Sequence, residues 1–301
     1  MINFFYHQNY KFLKISGKEV VDFLNDILTA PIKKLRVKFC MHSCLLTPQG
    51  IIRNDMFVIK KNKYNFLICA EIEQIQEIKK FLLFYKLRKK IEISILDNLI
   101  YGHCLNKDIK DNELMLMKKK GFDILTDQRE KNLGKVIIGD IKNLKFLNIS
   151  DNKIWNSHRI KLCIPEGSND LLLTRCYLLE AWLDKFKSVD FKKGCFIGQE
   201  VTARMHYKGK TKKKFLPMLG SKNKFKSGEY LEINQSKIGI ITSIEKFDNN
   251  FDIFLVKANL EPLFYNANQE EFIISKEKKI KLIQPKWMKP YILDIKKSFF
   301  K

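Results

Sequence analysis

Apolar positions along the first half of the chain recur at two spacings. Residues 10–16 alternate as in a strand, and residues 18–28 follow with apolar positions at helical spacing. Alternation returns over 42–70, where Pro48–Gly50 predicts a turn between strands, and a helix is expected over about 71–90. Further strands are expected at the following alternating runs: 90–96, 99–105, 135–141 and 145–150. This order lacks a regular βαβ repeat and predicts an α+β fold.

The C-terminal half of the chain shows two further patterns. Residues 172–186 carry an apolar stripe that predicts a core-facing helix, at positions Leu172, Cys176, Leu179 and Leu183. From about Gly209 the pattern changes to six short alternating runs, which are typical of a small antiparallel barrel or sandwich. We therefore expect one region over 1–208, a C-terminal β-barrel over 209–285 and a tail over 286–301.

Basic residues exceed acidic residues by 56 to 33, a formal net charge of +23, but only seven of the basic residues are Arg. Dedicated nucleic-acid surfaces rely on Arg side chains, so a Lys-rich chain argues only weakly for polyanionic partners. Solvated lysine faces are therefore favoured over a nucleic-acid site, with tRNA or folate polyglutamate as alternatives. The 45% of hydrophobic residues excludes a disordered chain.

No apolar stretch reaches the ~18 residues of a membrane-spanning helix, and the first residues lack a secretory signal pattern. The sequence therefore predicts a cytoplasmic protein without a membrane partner. Seven cysteines without paired spacing indicate reduced thiols, most of them buried. Cys40, His42 and Cys44 share one face of a predicted strand, and packing is favoured over zinc because no fourth ligand is evident. No Ser/His/Asp set is recognisable.

The segment 189–215 carries the strongest chemical signal. Cys195 is expected where a strand ends and a helix begins, because Gly194 permits a tight turn and 197–206 has helical spacing. Unpaired amides and the helix dipole stabilise negative charge there. Lys192 and Lys193 add positive potential, so a reactive thiolate is favoured.

Two interpretations of the residues around this cysteine stay open. In the first, Cys195 is merely small, Gly198 serves backbone geometry, and Gln199 and Glu200 cap the helix. In the second, Cys195 is reactive. Glu200 and Arg204 lie four apart and most simply form an ion pair on one helix face, although a position facing the thiol is the alternative.

Residues 193–200 read Lys-Gly-Cys-Phe-Ile-Gly-Gln-Glu and are followed by Arg204 and by Tyr-Lys-Gly at 207–209. This string resembles the signature of the YgfZ-type folate-binding proteins, which are related to the glycine-cleavage aminomethyltransferase and act in iron-sulfur protein maturation. Other segments resemble that family too, so the resemblance covers most of the chain: 15–29, 155–167 and 178–191. Cys163 stands where the family usually has Gly.

The resemblance implies two interwoven N-terminal α+β lobes and a C-terminal antiparallel β-barrel around a central folate-sized channel. It also implies tetrahydrofolate as cofactor, with Trp155 and Tyr10 as candidate aromatic walls for the pterin, while core packing is the alternative for both. Arg159 is a candidate partner for a ligand carboxylate. A structural pair of Arg159 with Glu180 or Asp184 is the favoured alternative.

Three functions follow as hypotheses. The first is a folate-dependent accessory protein that assembles or repairs iron-sulfur clusters, including those of tRNA-modifying enzymes, with Cys195 as a transient ligand, redox group or nucleophile. Its partners are iron-sulfur client or assembly proteins. The second is a folate-dependent one-carbon or aminomethyl transferase, which needs a carboxylate such as Asp55 or Asp97. The third is a tRNA-binding protein that uses the basic surface.

Overall fold

The structure is a computed structural model of the chain and describes residues 3–172, 175–209, 211–233, 235–266, 272–275 and 278–299. Contacts between residues divide the chain into two compact units. The first comprises Met1–Trp155 with Leu183–Ala203, and the second comprises Asn156–Trp182 with Arg204–Lys301. The boundary expected at residue 208 stays a prediction. By these contacts, Asn156–Trp182 belong to the same unit as the strands that follow residue 208.

The described residues of the first unit contain ten strands: β1 (Asn3–Tyr6), β2 (Tyr10–Ser16), β3 (Phe39–Leu46), β4 (Ile52–Asn62), β5 (Asn65–Glu71), β6 (Glu92–Leu96), β7 (Leu99–Cys104), β8 (Asp123–Asp127), β9 (Lys135–Asp140) and β10 (Asn148–Ile149). They form one sheet in the order β10-β1-β7-β9-β8-β3-β4-β5-β2-β6. Neighbouring strands within this sheet are antiparallel, except for the parallel pairs β1–β10 and β3–β8. The hairpin series expected over 42–70 is confirmed as β3, β4 and β5.

The described residues of this unit also contain α1 (Val20–Ile27), α2 (Ile72–Lys86) and α3 (Asp111–Lys119), while α4 (Asn152–Lys161) and α5 (Gln199–Lys208) cross its boundaries. The spacing predicted α1, α2 and α5 correctly. Alternation along β2 directs Leu13 and Ile15 into the core that contains α1 and α2, while Phe12 enters the core of the opposite face. Helix α3 and strand β8 were not predicted from the sequence.

The six alternating runs predicted near the C-terminus are confirmed as strands: β11 (Lys213–Ser221), β12 (Tyr230–Ile233), β13 (Ser236–Lys246), β14 (Phe251–Asn259), β15 (Phe272–Ser275) and β16 (Lys278–Leu282). They form an antiparallel sheet in the order β12-β13-β14-β11-β16-β15. Cα atoms of the edge strands β12 and β15 approach within 8 Å, so the sheet curls. Helices α6 (Leu260–Asn266) and α7 (Lys289–Phe299) also belong to the second unit.

The helix expected over 172–186 does not form in the described part of that range, 175–186, and this prediction was wrong. Residues 175–187 run through turns, with positive φ angles of 47°, 60° and 58° at Arg175, Trp182 and Lys187. The indole of Trp182 donates to the Phe215 carbonyl at 2.7 Å, and the Phe215 amide donates to the Glu180 carbonyl at 2.9 Å. Pairing with β11 therefore outweighs the helical spacing, because a regular helix over this range would bind the Glu180 carbonyl internally.

The helices within the described ranges are too short or too polar to cross a membrane.

Candidate functional site

Cys195 lies on the loop 188–198, which leads into α5. All seven cysteines fall within the described residues, and six of them are buried while Cys195 is exposed. Burial raises the pKa of Cys104 to about 12 and raises the pKa of Cys40, Cys69 and Cys163 well above the usual value. The structure thus makes Cys195 the accessible thiol of the chain.

The junction around this thiol differs from the expected one. No strand forms at Val189–Phe191, since this segment is irregular and then turns. Helix α5 begins at Gln199, four residues after Cys195, and the dipole of a helix acts mainly within its first turn. Cys195 therefore precedes the helix rather than forming part of its N-terminus. Glu200 and Arg204 both lie on α5, and their ion pair stays a prediction.

The base of the loop is fixed by a threonine and a carboxylate. Thr29 donates its hydroxyl to the Ser188 carbonyl at 2.7 Å, and its own carbonyl accepts from the Asp190 amide at 3.2 Å. The Asp190 carboxylate accepts from Lys34 Nζ at 2.7 Å and from the Lys192 amide at 2.8 Å. Burial alone would raise the pKa of Asp190, but these hydrogen bonds and the nearby ammonium charges lower it overall. A charged carboxylate therefore holds the loop to the first unit.

Lys193 adds a second attachment. Its ammonium donates to the carbonyls of Asn25 and Leu28, where helix α1 ends and leaves carbonyls without helical partners. Burial lowers the pKa of Lys193 to about 8, against the opposing charges of Asp26 and Asp190. Lys193 was expected to add positive potential at Cys195, and the structure instead directs its ammonium to the end of α1.

The two glycines of the motif have different surroundings. A Cβ atom on Gly198, where φ is 78°, would lie 2.5 Å from the Thr47 carbonyl oxygen and 3.1 Å from Gly50 Cα. A Cβ atom on Gly194, where φ is 105°, would meet nothing within 4 Å. Gly198 thus allows the loop to touch the turn between β3 and β4, while Gly194 lies in open space beside Cys195. The Gln199 side chain accepts from the Phe196 amide at 3.3 Å and closes the turn before α5.

A buried chain of polar side chains links the loop to two strands, and sequence reasoning missed it. Ser188 Oγ lies 3.0 Å from His42 Nδ1, and His42 Nε2 lies 3.3 Å from Asp55 Oδ2. Gln74 Nε2 donates to Asp55 Oδ1 at 3.1 Å. The order is that of a Ser/His/Asp set, and the 146 positions between Ser188 and His42 left no local signal. Because Ser188 is fully buried, these linked side chains support the loop, and the Ser188 hydroxyl is not presented to solvent.

His42 and its neighbouring cysteines lie in this buried region of the first unit. Cys40, His42 and Cys44 are buried within β3, and the His42 ring is bound by Ser188 and Asp55. Within the described ranges, no group of three or more His, Cys, Asp or Glu side chains is arranged to hold a metal ion.

Trp155 and Tyr10 both join a cluster of aromatic and histidine rings in the first unit. Trp155 is fully buried and stacks on His103, with ring centroids 3.7 Å apart and planes 15° apart. Tyr10 is partly exposed and packs 5.0 Å from the Tyr101 ring and 5.7 Å from the His7 ring. The structure thus brings the two candidates to one cluster, but only Tyr10 retains a solvent-accessible surface.

A buried ion pair between Arg129 and Asp127 lies beside this cluster. Arg129 Nη2 donates to Asp127 Oδ2 at 2.7 Å, and the same carboxylate oxygen lies 3.7 Å from His103 Nε2. Burial would raise the pKa of Asp127, but Arg129 and His103 outweigh it and hold that pKa well below its usual value. His7 Nε2 lies 2.8 Å from His103 Nδ1 and extends the chain of polar contacts.

Arg159 forms a structural pair, but with another partner than expected. Its Nη1 donates to Asp170 Oδ2 at 2.7 Å, while Glu180 binds Lys257 at 2.8 Å. Asp170 also accepts from the hydroxyl of Thr242 at 2.6 Å, which ties the turn at Ser168–Leu172 to β13. The pairing with Glu180 or Asp184 was wrong, because the turn places Asp170 beside the guanidinium.

Cys163 has a positive φ of 56°. This left-handed conformation favours glycine, the residue usual at this position in the family that the sequence resembles.

Comparison with known proteins finds curated relatives and a solved structure. No family model matches the chain. Curated relatives named "Iron-sulfur cluster assembly factor IBA57 homolog, mitochondrial" include one from Neurospora crassa, 24% identical over 226 residues, which are 69% of this chain and 52% of that protein. One from Pyricularia oryzae is 26% identical and covers 77% of this chain and 60% of that protein. One from Dictyostelium discoideum is 27% identical and covers 56% and 44%.

Among solved structures, the glycine cleavage system aminomethyltransferase T from Bartonella henselae matches with a TM-score of 0.71 and 15% identity, over 95% of this chain and 86% of that one. The aminomethyltransferase-like α+β fold is thereby confirmed. The predicted resemblance to iron-sulfur assembly proteins is also confirmed, since the chain is similar to IBA57 homologues over most of its length. The chain spans about half the length of the curated relatives that it matches. The expected cytoplasmic location is contradicted, because those relatives are named mitochondrial.

Proposed function

We propose that this protein is a mitochondrial iron-sulfur cluster assembly factor and that the Cys195 thiol binds cluster iron during transfer. One observation carries the proposal: Cys195 is the exposed thiol of seven, in a chain similar to IBA57 homologues. The thiolate is the form of cysteine that ligates metal, so an accessible cysteine is the group that this chain offers to iron.

The ligand count indicates that the cluster is shared with a partner. A cluster of the common types is held by about four cysteines, whereas the other six cysteines of this chain are buried. The remaining ligands must therefore come from a second protein, such as a client or assembly protein. The attachments of the loop through Asp190 and Lys193 hold Cys195 in one position, which lowers the entropic cost of forming such a shared site.

The test uses cells that lack their own homologous factor and measures the activity of an iron-sulfur enzyme. Cys195→Ala is expected to lose rescue, because no other thiol is accessible. Cys176→Ala, which alters a buried thiol instead, is the matched control and is expected to retain rescue. Full rescue by Cys195→Ala would remove the thiol from the mechanism.

Tetrahydrofolate binding forms a separate part of the proposal, together with closure of the C-terminal sheet into a barrel and a folate-sized channel. It is supported by the family resemblance. Trp155 does not fit a pterin as arranged, because it is fully buried and one face of its indole is covered by His103. The partly exposed Tyr10 ring is the better stacking surface. We assign no step of cluster transfer to folate.

Titration with reduced folate, followed by tryptophan fluorescence, tests this part. Tyr10→Ala is expected to weaken binding, whereas Trp155→Phe is expected to change the signal but not the affinity. The absence of saturable quenching would contradict folate binding.

The two alternative functions stay predictions. For a transferase, Asp55 is bound by His42 and Gln74, and Asp97 is exposed and paired with Lys11 at 2.9 Å. Transfer of a one-carbon unit to tetrahydrofolate by the purified protein would establish that activity. For tRNA binding, the expected signature is an affinity that falls steeply with salt and does not respond to folate.

A further inference from the structure

The C-terminal end of α2 exposes an apolar surface. Leu83, Phe84 and Leu87 are 44%, 74% and 81% exposed, and we call these three residues the α2 tip. Leu83 and Phe84 lie in the last turn of α2, and Leu87 directly follows the helix. The buried face of α2 packs into the core through Ile78 and Leu82, among others. Phe84 contacts the Tyr85 ring, with centroids 5.2 Å apart, but most of the Phe84 and Leu87 surface is left to solvent.

The backbone conformation at Leu87 favours a residue type other than leucine. Leu87 follows the helix with a φ of 47°, a backbone conformation that favours glycine. A leucine at this position is strained. The most exposed apolar residue of the α2 tip thus occupies a position that favours a different residue type.

Basic side chains surround the α2 tip. Residues 79–90 contain six of them and no acidic residue: Lys79, Lys80, Lys86, Arg88, Lys89 and Lys90. Glu19 lies 4.0 Å from the Lys89 ammonium, and Lys86, Lys90 and Glu92 border an open cavity of about 440 Å³. Lysines near a helix C-terminus offset its dipole, but that effect requires no exposed leucine or phenylalanine among them.

We propose that the α2 tip binds the surface of an anionic phospholipid bilayer. Leu83, Phe84 and Leu87 enter the boundary between headgroups and acyl chains, while exposed basic residues such as Lys80, Arg88 and Lys90 contact the phosphate groups. Exposed apolar side chains flanked by lysine and arginine are the composition of segments that bind such surfaces. Each basic residue near an anionic surface adds about 1 kcal/mol, or about fivefold in affinity. The contact is peripheral and requires no membrane-spanning helix.

Shape favours a bilayer over an acidic protein. The α2 tip presents three exposed apolar side chains at the end of a helix, and a protein partner would need preformed pockets to bury them. A fluid lipid boundary needs no such complementarity. The positive charge of residues 79–90 matches lipid phosphates, and the exposed apolar side chains distinguish the surface from a purely electrostatic one.

The test is sedimentation of the full-length protein with vesicles of phosphatidylcholine alone or mixed with phosphatidylglycerol. Wild type is expected to bind the mixed vesicles, and more weakly as salt rises. The double variant Phe84→Asp/Leu87→Asp is expected to bind at least about tenfold more weakly. Both substitutions are at exposed positions, so folding is retained, and circular dichroism checks this.

The matched control is Leu116→Asp on α3. Leu116 is 56% exposed and is followed by Lys118–Lys120, so its surroundings resemble those of the α2 tip, and its substitution is expected to leave binding unchanged. Equal binding by wild type and the double variant, or an equal loss for Leu116→Asp, would overturn the proposal. Equal binding to neutral vesicles would also overturn it. Self-association in the absence of vesicles, abolished in the double variant, would assign the α2 tip to a second copy instead.

Discussion

Replacing Gly198 with alanine is expected to detach the Cys195 loop from the turn between β3 and β4. The added Cβ atom would lie 2.5 Å from the Thr47 carbonyl oxygen, and the neighbouring atoms at Leu46 and Gly50 are 3.0 and 3.1 Å away. These are main-chain atoms and a Cβ atom, so none can rotate aside. The clash costs about 1–3 kcal/mol by analogy with overpacked cores. The positive φ of 78° adds about 1–3 kcal/mol of backbone strain.

Gly194→Ala separates these two costs. Its φ of 105° brings comparable backbone strain, but its Cβ atom would meet nothing within 4 Å. Thermal unfolding followed by circular dichroism should therefore place the midpoint of Gly198→Ala below that of Gly194→Ala. The expected interval is about 2–4 °C for each kcal/mol of clash in a unit of this size. Equal midpoints would refute the close contact between the loop and the turn.

Three further predictions follow from burial. A thiol reagent should label one cysteine of the native protein and none in Cys195→Ala, whereas rapid labelling of buried thiols such as Cys104 would contradict the structure. The pKa of Lys193 is lowered from 10.5 to about 8, so the unfolded state binds more protons between these values. Stability should therefore rise with pH across that window by roughly 1–3 kcal/mol, and urea unfolding of Lys193→Met should lose this rise. Asp127→Asn leaves the buried Arg129 guanidinium without its carboxylate and should cost about 3–5 kcal/mol at pH 7. Because the pKa of Asp127 is depressed below 3.8, this difference should shrink in urea unfolding as the pH falls below about 4, and a constant difference would contradict the pairing.

Local periodicity was sufficient to predict an element where that element buries one regular face. The alternating runs after Gly209 became the strands of the C-terminal sheet, and the apolar spacing of 71–90 became α2. The same reasoning failed over 172–186, because the Trp182 indole and the Glu180 carbonyl bond with β11 and the chain turns to reach it. Helical spacing records which side chains are apolar, and it holds no information about hydrogen bonds to a distant strand.

The sequence by itself determined most of the elements, the cysteine motif at 193–200 and its family resemblance, since these depend on residues that are close along the chain. Only the tertiary structure decided which of seven thiols reaches solvent, because exposure depends on the packing of distant segments. It also decided that Lys193 binds the end of α1 and that Ser188, His42 and Asp55 form one buried chain. Folding brings together residues up to 168 positions apart, and no local pattern specifies such a contact in advance.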